Sequence, residues 1–192
     1  KVFITDQCEG LVYPWLRFLR GVIDSQDLPL NISREMLQSN PVVTKIRQGV
    51  TKRILSDLKK LSENETDKYN AFWEQFGAVL KEGLYDAYEF RNDILSLCRF
   101  YSTNDPEKRI SLAEYKDSMK DGQETIYYIS GESVDAVKDA PQLEGFKARG
   151  INVLFMTDTI DEFWLQHNLQ FEELSFKSVT RGGAEDFDDK DE

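Results

Sequence analysis

The sequence predicts a mixed α/β fold, in which helices and strands share one α+β chain. Three observations carry that expectation. Apolar residues recur at helical spacing in three successive stripes between Val43 and Cys98. From Ser111 to Val179, strand patterns alternate with helix patterns. The chain also opens on a short β-forming run.

Residues 1–5 read as a strand, because Val2, Phe3 and Ile4 are β-formers followed by polar residues. No hairpin partner follows, so this strand expects its sheet neighbours outside the sequence. Pro14 opens a short amphipathic helix from Trp15 to Gly21, with Trp15, Leu16, Phe18 and Leu19 as its apolar contacts. From Asp24 to Asn40 both periodicities fade, which predicts an ordered loop anchored by Met36 and Leu37.

A long helix follows. Asn40 is a good cap and Pro41 suits a first turn; Val43, Ile46, Val50, Ile54, Leu58 and Leu61 then recur at helical spacing. The polar run Ser62–Thr66 breaks it. Tyr69, Phe72, Trp73, Phe76, Val79 and Leu80 line a second helix that Gly83 is expected to stop, and Phe90, Ile94, Leu97 and Cys98 line a third. These helices read as a connector between two α/β units.

Ser111 and Glu114 form a capping-box pattern for a helix through Met119. Beyond it the patterns predict a strand at Thr125–Ile129 and a helix over Ser133–Arg149 interrupted by Pro141. A strand at Ile151–Phe155, a helix at Ile160–Gln166 and a strand at Leu174–Val179 complete the series. Such alternation predicts a small parallel sheet. The tail from Arg181 carries six acids and two bases behind two glycines, the composition of a linker or disordered end.

Charge and composition narrow the function. With 35 acidic against 24 basic residues, the net charge of -11 repels phosphate backbones, so nucleic acid is not an expected partner. No apolar run approaches the roughly 20 residues of a membrane span, and the first residues turn polar too soon for a signal peptide. Cys8 and Cys98 stand far apart with no histidine near either, reading as reduced core thiols that suit a reducing cytoplasm. One histidine, His167, excludes most histidine-based catalytic or zinc arrangements.

Candidate chemistry is sparse. Ser130-Gly131-Glu132-Ser133 joins a strand to a helix but has one glycine, so it reads as a structural turn rather than a phosphate cradle. Acid pairs such as Asp161-Glu162 read as solvated surface groups. Arg34 differs in lying on a loop held ahead of a well-capped helix. Its permanently charged guanidinium forks onto phosphate oxygens, and Gln38 shares the same stretch. On the residues alone, the plainer reading of Arg34 is a loop arginine facing water or a nearby Asp.

The run Arg20-Gly21-Val22-Ile23-Asp24-Ser25-Gln26-Asp27-Leu28-Pro29-Leu30-Asn31-Ile32-Ser33-Arg34-Glu35-Met36-Leu37-Gln38 resembles the signature of the heat shock protein 90 chaperone family. Tyr69–Phe76, Leu112–Ile129 and Ile160–Phe163 extend the likeness over nearly the whole chain, and Phe72–Gly77 with Leu80–Gly83 resemble its bacterial form. The resemblance implies most of a middle domain. Residues 1–61 would end its larger α/β subdomain, a layered αβα sandwich, and carry the catalytic-arginine loop. Residues 62–110 would be the helical connector, 111–180 a small αβα subdomain with a short parallel sheet, and 181–192 the acidic tail.

It further implies an ATPase whose ATP and Mg2+ are held by an N-terminal domain outside this sequence. Arg34 would reach the γ-phosphate and Gln38 would assist, while the segment alone would not hydrolyse ATP. Phe3, Glu162, Phe163 and Gln166 match client-contacting positions, although Trp164 departs from the family's usual residue. Implied partners are non-native client proteins, the protein's own N-terminal domain and a C-terminal domain that makes a homodimer, all in the cytoplasm. The rival expectations are a non-enzymatic α/β interaction module and a small-ligand domain using the crevice at the carboxyl ends of the last strands.

Overall fold

The computed structural model describes residues 2–29 and 31–181, and for Arg34 the backbone alone. The expected linker or disordered tail at 182–192 lies outside the described residues. The fold is mixed α/β, as the sequence predicts, and divides into two compact units, one reaching Ala71 and the other starting at Phe72.

The first unit contains no strand among its described residues. The strand expected at residues 1–5 does not form: Val2, Phe3 and Ile4 are 67%, 78% and 41% exposed. A strand needs a hydrogen-bonding neighbour, and β-propensity without one leaves the backbone irregular. Pro14–Leu16 form a single 3₁₀ turn rather than a helix to Gly21, yet Trp15 and Leu16 are fully buried. The loop 24–40 contains helix α1, Arg34–Gln38. Its expected anchors divide, for Leu37 is buried while Met36 is 53% exposed.

Helix α2, Pro41–Asn64, starts where the sequence predicts, with the Asn40 side chain accepting from Val42 N at 2.8 Å and proline in the first turn. Helix α3, Thr66–Asp86, runs past Gly83, because the helix's own packing overrides the breaker. Its buried face in the second unit is Trp73, Gly77, Leu80, Lys81 and Leu84, whereas Phe76, assigned to that face by the sequence pattern, is 38% exposed.

After helix α4, Arg91–Leu97, two short strands pair antiparallel, β1 (Arg99–Phe100) with β2 (Ile110–Ser111). Helix α5, Leu112–Asp117, begins on the expected capping box: Ser111 Oγ accepts from Glu114 N at 3.1 Å and Glu114 Oε2 from Ser111 N at 2.7 Å. Strand β3, Thr125–Ser130, leads through helices α6 (Val134–Val137) and α7 (Glu144–Ala148) to strand β4, Leu154–Met156. The residues between α6 and α7 include a 3₁₀ turn at Pro141–Leu143, where the sequence expected the interruption. Helix α8, Thr159–Trp164, and strands β5 (Gln170–Phe171) and β6 (Leu174–Ser178) close the unit.

The sheet order is β4-β3-β6-β5. The three expected strands are parallel, and β5 adds an antiparallel edge. Side chains alternate along a strand, so Tyr127 and Ile129 share one face while Ile126 and its register partner Phe176 share the other. On the first face, Tyr127, Ile129, Leu143, Phe146 and Phe155 form the core under α6 and α7. On the second, Trp164 of α8 meets Phe176 edge-on at 5.2 Å. Cover on both faces is what a parallel sheet needs.

Candidate functional site

Helix α1 is short, and its ends are set by local polar chemistry. Ser33 adopts extended geometry and its hydroxyl accepts from Met36 N at 3.4 Å, which places the Arg34 backbone in the first helical turn. Leu37 supplies the buried side of the turn, and Asn40 N donates to Leu37 O at 3.2 Å before α2 begins. The segment is therefore fixed by one cap before it, one buried leucine within it and a second cap after it. The Arg34 side chain lies outside the described residues.

Gln38 donates through Nε2 to Glu9 Oε2 at 3.1 Å, on the exposed surface. A shallow cavity beside this contact is lined by Gln7, Cys8, Glu9, Leu37 and Gln38. The loop carrying Glu9 is tied to α2, where Arg47 donates to Gly10 O at 3.1 Å and its guanidinium stacks over the Tyr13 ring at 5.0 Å. Gly10 has a φ of 77°, a conformation glycine adopts without strain. The sequence points to Arg34 and Gln38, while Glu9, the partner the fold gives Gln38, is marked by nothing in its neighbourhood.

A nucleotide does not fit as a ligand held by this cavity. Among the described residues its one charged wall is the Glu9 carboxylate, and no glycine-rich turn presents backbone N–H groups there. What the segment can offer a phosphate is a donor on a braced helix start. Among the described residues, no group of three or more His, Cys, Asp or Glu could hold a metal ion. Ser130–Ser133 is a structural turn: a Cβ on Gly131 would sit 2.2 Å from Val137 Cγ1, and Gly131 N donates to Met156 O at 3.2 Å.

The other expected positions lie in the open. Phe3 is 78% exposed and Phe163 49%, and Glu162 and Gln166 are both exposed. Of the adjacent aromatics on α8, Trp164 is fully buried and Phe163 faces out. Phe163 meets the Tyr85 ring edge-on at 6.4 Å, and Tyr85 meets the His167 ring at 5.1 Å.

One sequence expectation is reversed. Asp161 is not a solvated acid but is 1% exposed, and its carboxylate accepts from Lys81 Nζ at 2.7 Å and from Trp164 Nε1 at 2.8 Å. Lys81 also pairs with Asp158 at 2.8 Å. Burial by itself lowers the Lys81 pKa, but the carboxylates of Asp161 and Asp158 outweigh it and hold the ammonium above its ordinary value. The available signal was helical spacing, since Lys81 falls four residues after Gly77 and eight after Trp73 on the buried stripe. Of the two cysteines, Cys98 is buried and free as expected, and Cys8 is half-buried.

Comparison with known proteins places the chain among chaperones. The family model described as Hsp90 protein matches residues 1–192. The chain is 56% identical over 185 residues to the chaperone protein HtpG of Paramagnetospirillum magneticum, covering 96% of this chain and 30% of that protein. It is 50% identical over 185 residues to HtpG of Rhizobium etli, with 96% and 29% covered, and 51% identical over 183 residues to HtpG of Ehrlichia canis, with 94% and 29% covered. The chain thus spans about 30% of the length of the relatives it matches.

Proposed function

This chain belongs to the Hsp90 family, and from that membership we propose that it forms most of the middle domain of a bacterial, cytoplasmic, ATP-dependent chaperone. Residues 1–61 would carry the arginine loop of a larger α/β subdomain, 62–110 the helical connector and 111–180 the small α/β subdomain. An N-terminal domain would hold ATP and Mg2+, and a C-terminal domain would make the homodimer.

The observation that carries this reading is the bracing of α1. A capped helix start at Arg34, anchored by Leu37, gives a guanidinium a fixed origin from which to reach a partner domain's ligand. With ATP bound, the nucleotide supplies the phosphoryl group that water attacks. Arg34 would fork onto the γ-phosphate oxygens and offset the charge that builds there. Gln38 would release Glu9 and turn its amide toward the same oxygens or the attacking water. A rigid origin matters because a misplaced donor stabilises the transition state poorly.

Phe3, Glu162, Phe163 and Gln166 would contact non-native clients. The exposure of Phe3 and Phe163 supports this, since an apolar side chain left in water is available to another apolar segment.

The test is Arg34→Ala in the intact protein. Nucleotide affinity should stay within a few-fold while ATP hydrolysis falls by about 10³ or more. Unchanged turnover removes Arg34 from the mechanism and favours a non-enzymatic interaction module.

A further inference from the structure

The surface around Phe163 has a chemical character that its apolar residues alone do not convey. Tyr85, at the end of α3, stands edge-on to both Phe163 of α8 and His167 of the 3₁₀ turn Leu165–His167, so three rings from three elements form one exposed cluster. Tyr85 is 48% and Phe163 49% exposed. Exposed acids adjoin both residues in the chain: Asp86 follows Tyr85 and Glu162 precedes Phe163.

A cation already lies on the ring of Tyr88, three residues after Tyr85. The Arg91 guanidinium lies 5.0 Å over the Tyr88 ring, and its Nη2 donates to Tyr85 O at 3.2 Å. Arg91 is thereby committed to its own chain's ring and carbonyl, and it leaves the rings of Tyr85 and Phe163 to an outside group. Aromatic rings attract cations through their faces, and neighbouring carboxylates add to that attraction. An acidic segment would meet Asp86 and Glu162 as like charges.

From this arrangement we propose that the Tyr85–Phe163–His167 cluster selects unfolded polypeptide segments in which lysine or arginine alternates with apolar residues. The inference rests on the client-contacting role proposed above for Phe163, and it names the class of segment. Apolar residues of the segment would cover the ring edges, its cations would lie on the ring faces, and Asp86 and Glu162 would set the charge preference. The chain's net charge of -11 draws the same segments from a distance.

The experiment measures fluorescence anisotropy of three labelled, unstructured peptides of equal apolar content, one cationic, one neutral and one acidic. They are titrated with the intact protein and with Tyr85→Leu, Phe163→Leu and the pair Asp86→Asn with Glu162→Gln. All substituted positions are exposed, and circular dichroism checks each fold. At low salt the cationic peptide should bind about tenfold more tightly than the acidic one, and the difference should shrink in 0.5 M salt.

Each leucine substitution keeps apolar area but removes a ring, so it should weaken the cationic peptide roughly two- to fivefold and leave the acidic one unchanged. The amide pair should bring the cationic peptide down to the neutral one. Equal binding of all three peptides, with loss in the leucine variants, overturns the cationic preference while the client role stands. Binding that no variant alters overturns the client role of Phe163 itself, and the inference with it.

Discussion

Lys81 Nζ lies 2.7 Å from Asp161 Oδ1, and both side chains are almost fully removed from water, at 3% and 1% exposed. The pair joins α3 to α8. Asp161 is satisfied three ways, by Lys81, by Trp164 Nε1 and by Asp158 N at 3.1 Å. This holds Trp164 inward and so turns Phe163, its neighbour, outward.

Removing one partner of such a pair leaves the other charge buried. Lys81→Met should therefore destabilise the protein by about 3–5 kcal/mol, measured by urea unfolding at pH 7. Asp161→Asn keeps an acceptor for Trp164 but leaves the Lys81 ammonium with Asp158 alone, and should cost less. A loss below about 1 kcal/mol for Lys81→Met would mean that the pair stabilises no more than a surface ion pair does.

The buried thiol of Cys98 gives an alkaline limit. Burial pushes it up to about 12, while Lys81 pulls the other way. In the unfolded chain a thiol ionises near 8.5, so its contribution is complete below that pH and is lost as pH rises toward 12. Between pH 8 and 10 stability should fall by about 2 kcal/mol from this group, and Cys98→Ala should flatten that slope. Urea unfolding across the range reads it directly.

Tyr115 holds together a buried polar cluster. Its hydroxyl donates to Asn152 O at 2.7 Å and accepts from Gln123 Nε2 and Tyr127 N, both at 3.0 Å. Tyr115→Phe leaves two buried donors and one carbonyl without this partner, and should cost about 2–4 kcal/mol. A melting temperature within 2 °C of the parent would contradict it.

Gly77 reverses a helix rule. Alanine in place of a mid-helix glycine ordinarily stabilises by about 1 kcal/mol. Here a Cβ would sit 2.6 Å from the buried Trp73 ring, which must then move. Gly77→Ala should destabilise by about 1–3 kcal/mol, with a changed tryptophan emission spectrum as a second readout.

The β5–β6 turn offers a gain. Glu172 and Glu173 both have positive φ, 47° and 72°, a conformation that glutamate adopts at a cost. Glu173→Gly should raise stability by about 1 kcal/mol, seen as a rise of a few degrees in Tm.

That turn also explains why β5 was not legible. A two-residue hairpin announces itself by Asn-Gly or Asp-Gly, and Glu-Glu carries no such sign, with only Gln170 and Phe171 to mark the strand before it. Strands β3 and β6 were legible because Ile126, Tyr127 and Ile129, and later Phe176, make runs that fit a covered sheet. The expected strand at Val2–Ile4 failed for the opposite reason, as local propensity was present without a neighbour to pair with.

The local elements whose signals lie within a few residues were written in the sequence: the Asn40 and Ser111 caps, the helix that follows each, and the parallel strands. The Ser33–Gln38 segment was not among them: its periodicity fades, and the short helix there rests on the Ser33 cap and the burial of Leu37. What only the tertiary structure decided was which polar groups go inside. Asp161 and Glu162 are neighbours of one chemical kind, yet one is buried on a lysine eighty residues away and the other faces water. Helical spacing separates them by about a third of a turn, and only the packing of α8 on the sheet determines which side of that difference is the core.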